Sequence, residues 1–547
     1  MQDTIEFHLK QGGKLFDSRS SLLSLWQEIA DNFYPERADF TTIRNVGQEF
    51  ADHLTTSYPL LARRDLGNAL GSMLRPTSKE WFRLRTSQNW ENLGTEARAW
   101  LEWASSVQKR AMYNRRAQFT RATKEADHDF ATFGQAVIQT SLNKNADGLL
   151  YRCWHLRDVA WRENDEGMVD TVYRKWKPTA RELSILFPGK VHQSVTDKLE
   201  SDPFCEFNVW HCIVPSDYMP DGRPSRTPFK SYYIDVDNKH IMEQVGIFTM
   251  EYVIPRWQTV SGSQYAYSPS TVAALPDARL IQAMTRVLLE AGEKATNPPM
   301  IAVQEALRSD ISIYAGGVTW VDSEYDERMG EVLRPLTQDT RGIPLGRDMA
   351  RDTQQMIAEC FFLNKLSMPP SEREMTAYEV GQRVQEYIRQ AMPLFEPMEA
   401  EYNAPICENT FSLMLRAGAF GSPMDMPREL QGMGYEFAFE SPLHDATERQ
   451  KGQRFLEAKS MMAEAVAIDP SASAIIDVKI AFRDVLQSIG TPSKWMRSEN
   501  DVAAIEQQQQ QQQQTAQLLD QMQQGSDIAK TMAEAQAQQP TQAQAVV

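Results

Sequence analysis

Apolar residues recur at helical spacing through the first 145 residues. Leu22, Leu25, Trp26 and Ile29 form one stripe, and Tyr34-Pro35 ends it because a residue before proline is pushed out of the helical region. A second stripe, Leu60, Leu61, Leu66, Leu70 and Met73, stops at Arg75-Pro76. Further stripes run through Trp100, Trp103 and Val107 and from Phe119 to Phe133, so the whole stretch is predicted helical. From about Leu149 the period changes to two. Tyr151 to Val159 alternates as one strand, Asp165-Glu166-Gly167 supplies a turn, and Met168 to Trp176 alternates again. A second hairpin runs from Tyr232 to Val236, turns at Asp237-Asn238-Lys239 and returns from Ile241 to Val245. Residues 149–260 are therefore expected to be β-rich, with a short helix near Ala180 to Phe187.

Two long helical segments follow, one with the stripe Leu280, Met284, Val287, Leu288 and Ala291, the other with Met349, Met356, Ile357, Cys360 and Phe361. A helix from Thr271 to Ala295 would span about 37 Å. Its lead-in, Gly262 to Pro269, reads as a turn-rich linker with a helix cap. Between the two helices, Asn297 to Leu345 holds β-like pieces such as Ile311 to Trp320, as a compact insert on a helix pair would. Pro369-Pro370 marks Asn364 to Glu374 as a loop. A helical region from Thr376 to about Ala417 is kinked at Pro393, Pro397 and Pro405. Residues 443–490 read as helical again, with Phe455, Leu456, Met461, Met462 and Val466 on one face. From about Ser498 the chain is Gln- and Ala-rich, including eight glutamines in a row at Gln507 to Gln514. Disorder is expected there, since so little apolar surface offsets the ordering entropy, although Ala and Gln permit a marginal helix. The fold class is α+β, mainly helical.

A chain of 547 residues allows two to four structural regions around ordinary globular cores. The net charge of −16 argues against gripping nucleic acid through a broad basic face. It permits a passage for DNA, because a like-charged wall repels the duplex. The 5 cysteines fit a reducing compartment. Cys205 and Cys212 flank a strand-like stretch with His211 but lack a second ligand pair at zinc spacing, so buried thiols account for them. Met1 to Lys10 lacks signal-peptide order, and no run approaches the roughly 18 apolar residues that cross a bilayer. The expectation is a soluble protein made in the cytoplasm. No phosphate loop, HExxH, CxxC or GxSxG is present, and no two histidines stand at i, i+4. Neither a cofactor nor a catalytic residue is assigned, and a structural part is expected rather than an enzyme.

The order of several blocks resembles one family, the portal or head-to-tail connector proteins of short-tailed bacteriophages. The resemblance covers most of the chain. It begins with the helix holding Trp26, Ile29-Ala30 and Pro35, then Leu70 to Thr77 and Trp81 to Leu84. Gly167 to Arg174 and Pro255-Arg256-Trp257 follow in the β-rich part. The strongest block is Tyr265-Ala-Tyr-Ser-Pro-Ser-Thr-Val-Ala-Ala-Leu-Pro-Asp277, running on to Asn297-Pro298-Pro299; a glycine common in the family near Tyr267 is replaced here. Met375 to Val380 with Arg383 completes the set.

The resemblance implies a portal fold. Residues 1–265 would form the wing, 266–297 and 346–363 the stem helices, and 298–345 the clip. Residues 364–375 would form the tunnel loop, 376–442 the long wing helix with return strands, 443–497 the crown and 498–547 a disordered tail. It further implies a homo-oligomeric ring of about twelve subunits at one capsid vertex of the virion, assembled in the host bacterial cytoplasm. Its partners would be the major capsid and scaffolding proteins, the terminase and a tail adaptor, with double-stranded DNA passing through regardless of sequence and no membrane. Lys365, Arg373 and Arg347 become candidates for contact with DNA, and Tyr314, Trp320 and Arg308 for the clip face toward terminase and adaptor. The alternative is an enzyme carried in the virion, a nuclease or cell-wall hydrolase without a recognisable motif. A membrane-acting ejection protein lacks the amphipathic or spanning segments it would need. Deleting the residues after Ser498 should leave ring formation intact in negative-stain images; loss of rings would make the tail structural.

Overall fold

The computed structural model describes residues 2–45, 47–49, 51–77, 80–86, 93–218, 226–296, 298, 300–302, 333–335, 342–366, 398–422, 425–439 and 455–463, with scattered positions from 481 to 515. It divides into two compact units. The larger comprises Met1–Arg83, Ser106–Gly421 and Phe437–Ala446; the smaller comprises Leu84–Ser105, Ser422–Glu436 and Thr447–Val547.

The larger unit opens with helices α1 (Gln2–Asp17), α2 (Ser20–Phe33) and α3 (Tyr58–Leu74). Strand β1 (Phe82–Thr86) and helix α4 (Thr95–Met112) follow, each divided between the two units with its larger part in the smaller one, and then helix α5 (Phe119–Phe133) and strand β2 (Ile138–Leu142) in the larger. The all-helical expectation for residues 1–145 is thus corrected at β1 and β2. Phe82-Arg-Leu-Arg-Thr86 alternates buried and half-buried, a period-two signal too short to stand out between helices. Of the stripes predicted for α2 and α3, Trp26, Ile29, Leu66 and Leu70 are almost wholly enclosed, Leu22, Leu25, Leu60 and Met73 are half-buried, and Leu61 is exposed.

Two antiparallel sheets follow. Strand β3 (Leu149–Cys153) pairs with β2, and a two-residue strand introduced below as β9 pairs with β2 on its other side. The predicted strand Tyr151 to Val159 is broken, because a 3-10 turn at Leu156–Asp158 lifts the chain from one sheet to the next. Buried Arg19 holds that turn, donating to the Leu156 and Val159 carbonyls at 2.6 and 2.7 Å and to that of Arg157. β4 (Val159–Glu163), β5 (Val169–Trp176), β6 (Val209–Pro215), β7 (Phe229–Asp235) and β8 (His240–Ile247) then form a five-stranded meander in chain order. Gly167 (φ +77) makes the β4–β5 turn. Helices α6 (Ala180–Leu186) and α7 (Gln193–Ser201) interrupt the meander between β5 and β6, and Thr179 and Glu182 close a capping box on α6. One sheet face packs Tyr173, Cys212, Tyr232 and Ile234 against Ile5 and Phe16 of α1, and the other packs Val209 and Met242 against Leu183, Phe187 and Val195. β9 (Tyr252–Val253) ends the region.

After β9 come α8 (Pro269–Thr296), β10 (Met300–Ala302), β11 (Leu333–Pro335), α9 (Gly342–Cys360) and the four-residue α10 (Leu363–Leu366). A π turn at Glu399–Asn403 leads into α11 (Ala404–Arg416). Pro405 explains the turn. It has no N–H to give the Glu401 carbonyl and its ring crowds that carbonyl, so the helix widens and the Ala404 amide bonds Glu399 instead. The turn is fixed from both sides: Tyr402 donates to Asp127 at 2.8 Å beside the buried Arg75–Asp127 pair, and Arg75 donates to Asn403 at 2.8 Å. Arg256 reaches Glu401 at 3.2 Å and also pairs with Glu163.

In the smaller unit the Ser105 hydroxyl accepts from the Leu84 amide at 2.9 Å, and Glu429 accepts from the Gly94 amide at 3.0 Å. Strand β12 (Tyr435–Phe439) begins in this unit. Residues 455–463 are helical as expected, and Phe455 meets Phe482 at 6.3 Å between ring centroids. The tail was expected to be disordered. Its described residues between Val502 and Thr515 are helical, the marginal helix that Gln and Ala permit; the remainder of the tail lies outside the described residues.

Three buried histidines stay neutral in this fold. Burial pushes His8 and His128 each down to about 4, with Arg63 adding to the effect at His128, and holds His211 well below the usual range. Their folded affinity for protons is below the unfolded value near 6.5, so the unfolded chain protonates first as pH falls. Stability is therefore fully present above about pH 6.5 and lost toward pH 4. Melting temperature should fall over that window, before carboxylates titrate in bulk, and a flat profile from pH 7 to 4.5 would contradict the neutral assignments.

Candidate functional site

The strongest sequence block, Tyr265 to Asp277, is the root of the long helix α8. α5 ends at Phe133 with Gly134 in the left-handed region (φ +74), and Tyr267 and Ser268 lie directly against that glycine. A Cβ there would overlap the Tyr267 carbonyl carbon and the Ser268 nitrogen, backbone atoms that cannot yield. Around this contact the polar groups pair off. Ser268 donates to the Ala131 carbonyl at 2.8 Å, Thr271 donates to that of Thr132 at 2.7 Å, and Gln135 accepts from the Ala266 amide at 3.0 Å. The Trp257 amide reaches the Gly134 carbonyl at 2.8 Å, and the Trp161 indole reaches that of Gln264 at 3.2 Å. The lead-in is thus a helix cap, as its composition suggested, and also a buried docking strip.

Further along α8, Gln282 spans the Thr55-Thr56 backbone, accepting from the Thr55 amide at 2.7 Å and donating to the Thr56 carbonyl at 3.0 Å. Arg279 pairs with Glu28 of α2. The buried residues of α8 end at Ile281, and in its distal half Leu288 lies against Gly346 of α9. A Cβ on Gly346 would come to 2.8 Å from the Leu288 methyl. α9 is seated at its far end by buried Ile357 and by Phe361, whose ring meets Phe33 at 5.4 Å. β10 and β11 pair antiparallel, Met300 opposite Pro335, so the segment between the helices leaves and returns side by side.

Large apolar side chains nonetheless face outward on this pair. Val287 is 63% exposed, Leu345 64% and Met349 51%; Leu280, Leu289 and Met356 join them. Leu280 and Val287 share one face of α8, and Leu345, Met349 and Met356 share one face of α9. The charges are mixed: five basic and six acidic residues lie on the two helices. On α9, Arg347 and Arg351 form one row and Asp348 and Asp352 the next.

Arg347 is exposed on the second turn of α9. Lys365 falls in α10, its side chain outside the described residues, as are Arg373 and the clip candidates Tyr314, Trp320 and Arg308. Of these candidates only Arg347 is described with its side chain. The sequence alone does not single out Gly134 or Gln282, and it marks Arg256 only as part of the Pro255-Arg256-Trp257 block, without its ion-pair role. Of the three, Gly134 carries a signal, a glycine just past a predicted helix; the other two are polar residues whose partners lie far away in the chain. Cys212 is a buried thiol as expected, and burial pushes it up, whereas Cys205 is only half-buried. Among the described residues, no group of three His, Cys, Asp or Glu stands where it could hold a metal, and no helix is long and apolar enough to cross a membrane.

A rooted pair of helices carrying an insert, attached to a body of helices and antiparallel sheets, defines the class of protein. Residues 9–496 match the family described as bacteriophage head to tail connecting protein, and the chain belongs to that family. It is similar to a probable portal protein of Bordetella phage BPP-1, 26% identical over 540 residues that cover 95% of this chain and 94% of the relative. It is also similar to a portal protein of Salmonella phage epsilon15, 23% identical over 548 residues covering 97% and 96%. A solved chain in the neck of an empty GTA particle aligns over 74% of this chain and 90% of its own length, with 10% identity and a TM-score of 0.35.

Gly134→Ala combines left-handed strain with a backbone clash and should destabilise the protein by about 2–4 kcal/mol. Chemical denaturation would check this; a change under about 0.5 kcal/mol would mean that the α5–α8 joint is looser than described.

Proposed function

We infer that this chain is a phage portal protein, the subunit of a ring at one capsid vertex through which DNA is packaged and ejected. The observation that carries the reading is the match to the head-to-tail connecting family and to two portal proteins over nearly the whole chain. The role is structural and non-enzymatic. The ring contains about a dozen copies, as the resemblance to portal proteins implies, closed by cyclic symmetry; it is assembled in the host cytoplasm and serves the terminase first and a tail adaptor afterwards. Residues 298–345 form the clip on this reading, with Tyr314, Trp320 and Arg308 facing those partners, and residues 364–375 the tunnel loop. The capsid and scaffolding proteins surround the wing.

α8 and α9 form the stem on this reading, and their outward apolar faces support it. A soluble subunit does not leave Val287, Leu345 and Met349 in water without reason. Neighbouring copies cover them in the ring. The mixed charges leave the bore without a continuous basic surface, so DNA meets Arg347, Lys365 and Arg373 as transient phosphate contacts and is not held.

Val287→Asp and Met349→Asp place charge on surfaces that are open in the free subunit. Each variant should keep its circular dichroism and melting temperature while ring formation in negative stain and native mass spectrometry falls at least about tenfold. Rings at the normal yield would remove the stem faces from the interface, and a protein that never closes into rings would overturn the portal reading itself.

A further inference from the structure

α9 ends on a phenylalanine where a glycine ordinarily stands. Phe362 has φ +56, and its amide donates to the Glu359 carbonyl at 3.0 Å, the bond by which a left-handed residue caps a last helical turn. Glycine takes this conformation freely, whereas a side chain bearing Cβ is crowded by the backbone. Among the described residues Phe362 is the only aromatic one at positive φ; the other three outside glycine are Gln118, Ala146 and Lys239.

The surroundings show what holds it there. Phe361 is fully buried, its ring against Phe33. Phe362 lies 6.4 Å from Trp257, which stacks on Phe130 at 5.2 Å and 17°. Beyond the corner the chain becomes helical again at once, as α10, packed against α3 and α9. Only residues 361 and 362 separate α9 from α10.

We propose that Gly342 to Leu366 is a two-state element at the base of the helix pair. In the bent form Phe362 is left-handed and rests beside Trp257. In the straight form Phe362 takes right-handed helical angles, and α9 continues unbroken through Leu366. Straightening relieves the crowding at Phe362 and adds backbone hydrogen bonds across the corner; bending keeps the aromatic contact and the packing of α10. The two sets of interactions are local and opposed, which is what makes an element bistable. The inference concerns the corner alone and stands whether or not the portal reading does.

Electron–electron distance measurements on the full chain test it, with spin labels at exposed Arg347 and Asn364 introduced as non-canonical residues and labelled chains diluted into unlabelled ones. A continuous helix sets these positions about 26 Å apart, and the bent form sets them closer. The native chain should show mainly the shorter distance. Phe362→Ala favours the helix and cannot rest on Trp257, so the longer distance should appear. Phe362→Gly is at ease in the left-handed region and poor in a helix, so only the shorter should remain. The ratio of the two forms should differ between these variants by at least about tenfold, and Trp257→Ala should shift the native chain in the direction of Phe362→Ala. A single unchanged distance in all of them, or lengthening in the glycine variant, would overturn the proposal.

Discussion

Everything that projects from the body of this protein depends on one backbone contact, that of Gly134 with Tyr267 and Ser268. α8 is a 28-residue helix whose buried residues end at Ile281. Such a helix can hold a fixed direction only if its first turns are immobile. The contact at Gly134 brings two backbones within reach of one another, and the Ser268 and Thr271 hydroxyls then satisfy carbonyls at the end of α5 that would otherwise be orphaned. Gln282 adds a second fixed point three turns later, on a polar strip of the Thr55-Thr56 backbone. Two fixed points set a direction, as one cannot. The distal half of α8 then needs no body beneath it.

The helix pair pays for that reach in exposed apolar surface. At roughly 25 cal/mol per Å², covering several half-exposed Leu, Val and Met side chains on each copy adds up to a strong drive for association. Because the exposed faces lie on both α8 and α9, the same subunit presents two edges. A contact between different edges is heterologous, and heterologous contacts close into rings or run on as filaments. If these faces are the ones that meet in a ring, closure is decided by the angle between them, and the residues that fix the direction of α8 at its root are Gly134, Gln282 and the Arg279–Glu28 pair. On this view the joint determines ring geometry without touching a neighbour.

Much of the fold was legible in the sequence because its signals are local. The stripes of α2, α3 and α5 and the hairpin turning at Lys239 (φ +46) come from the period of apolar residues and from turn chemistry within a few positions. What escaped is non-local or too short. β1 is hidden between helices, and the break at Leu156–Asp158 depends on Arg19, well over a hundred residues away. The kink at Pro405 is legible, but its form, a π turn, is not, since Tyr402, Asn403 and Glu401 choose that register through Asp127 on α5, Arg75 just past α3 and Arg256 just past β9. For the site, spacing marked the helix pair and family resemblance gave it meaning. Neither gave the joint, because the geometry at Gly134 exists only when α5 and the lead-in to α8 meet.

The buried charges around the π turn have a similar logic. A buried ion pair such as Arg75–Asp127 gains little net stability over an apolar substitute, because both groups lose their hydration. Its value lies in direction. An apolar patch would accept the helix leading into α11 at several rotations, whereas Tyr402 on Asp127, Asn403 on Arg75 and Glu401 on Arg256 accept it at one. Arg256 also joins the β4–β5 hairpin through Glu163 and the Gly167 carbonyl, so the sheet, the π turn and the segment beginning at Trp257 share a single cation. Trp257 in turn stacks on Phe130 of α5, one turn before Gly134. The rotation of α11 and the root of α8 are therefore fixed by one continuous set of contacts, and a change at either would be felt at the other.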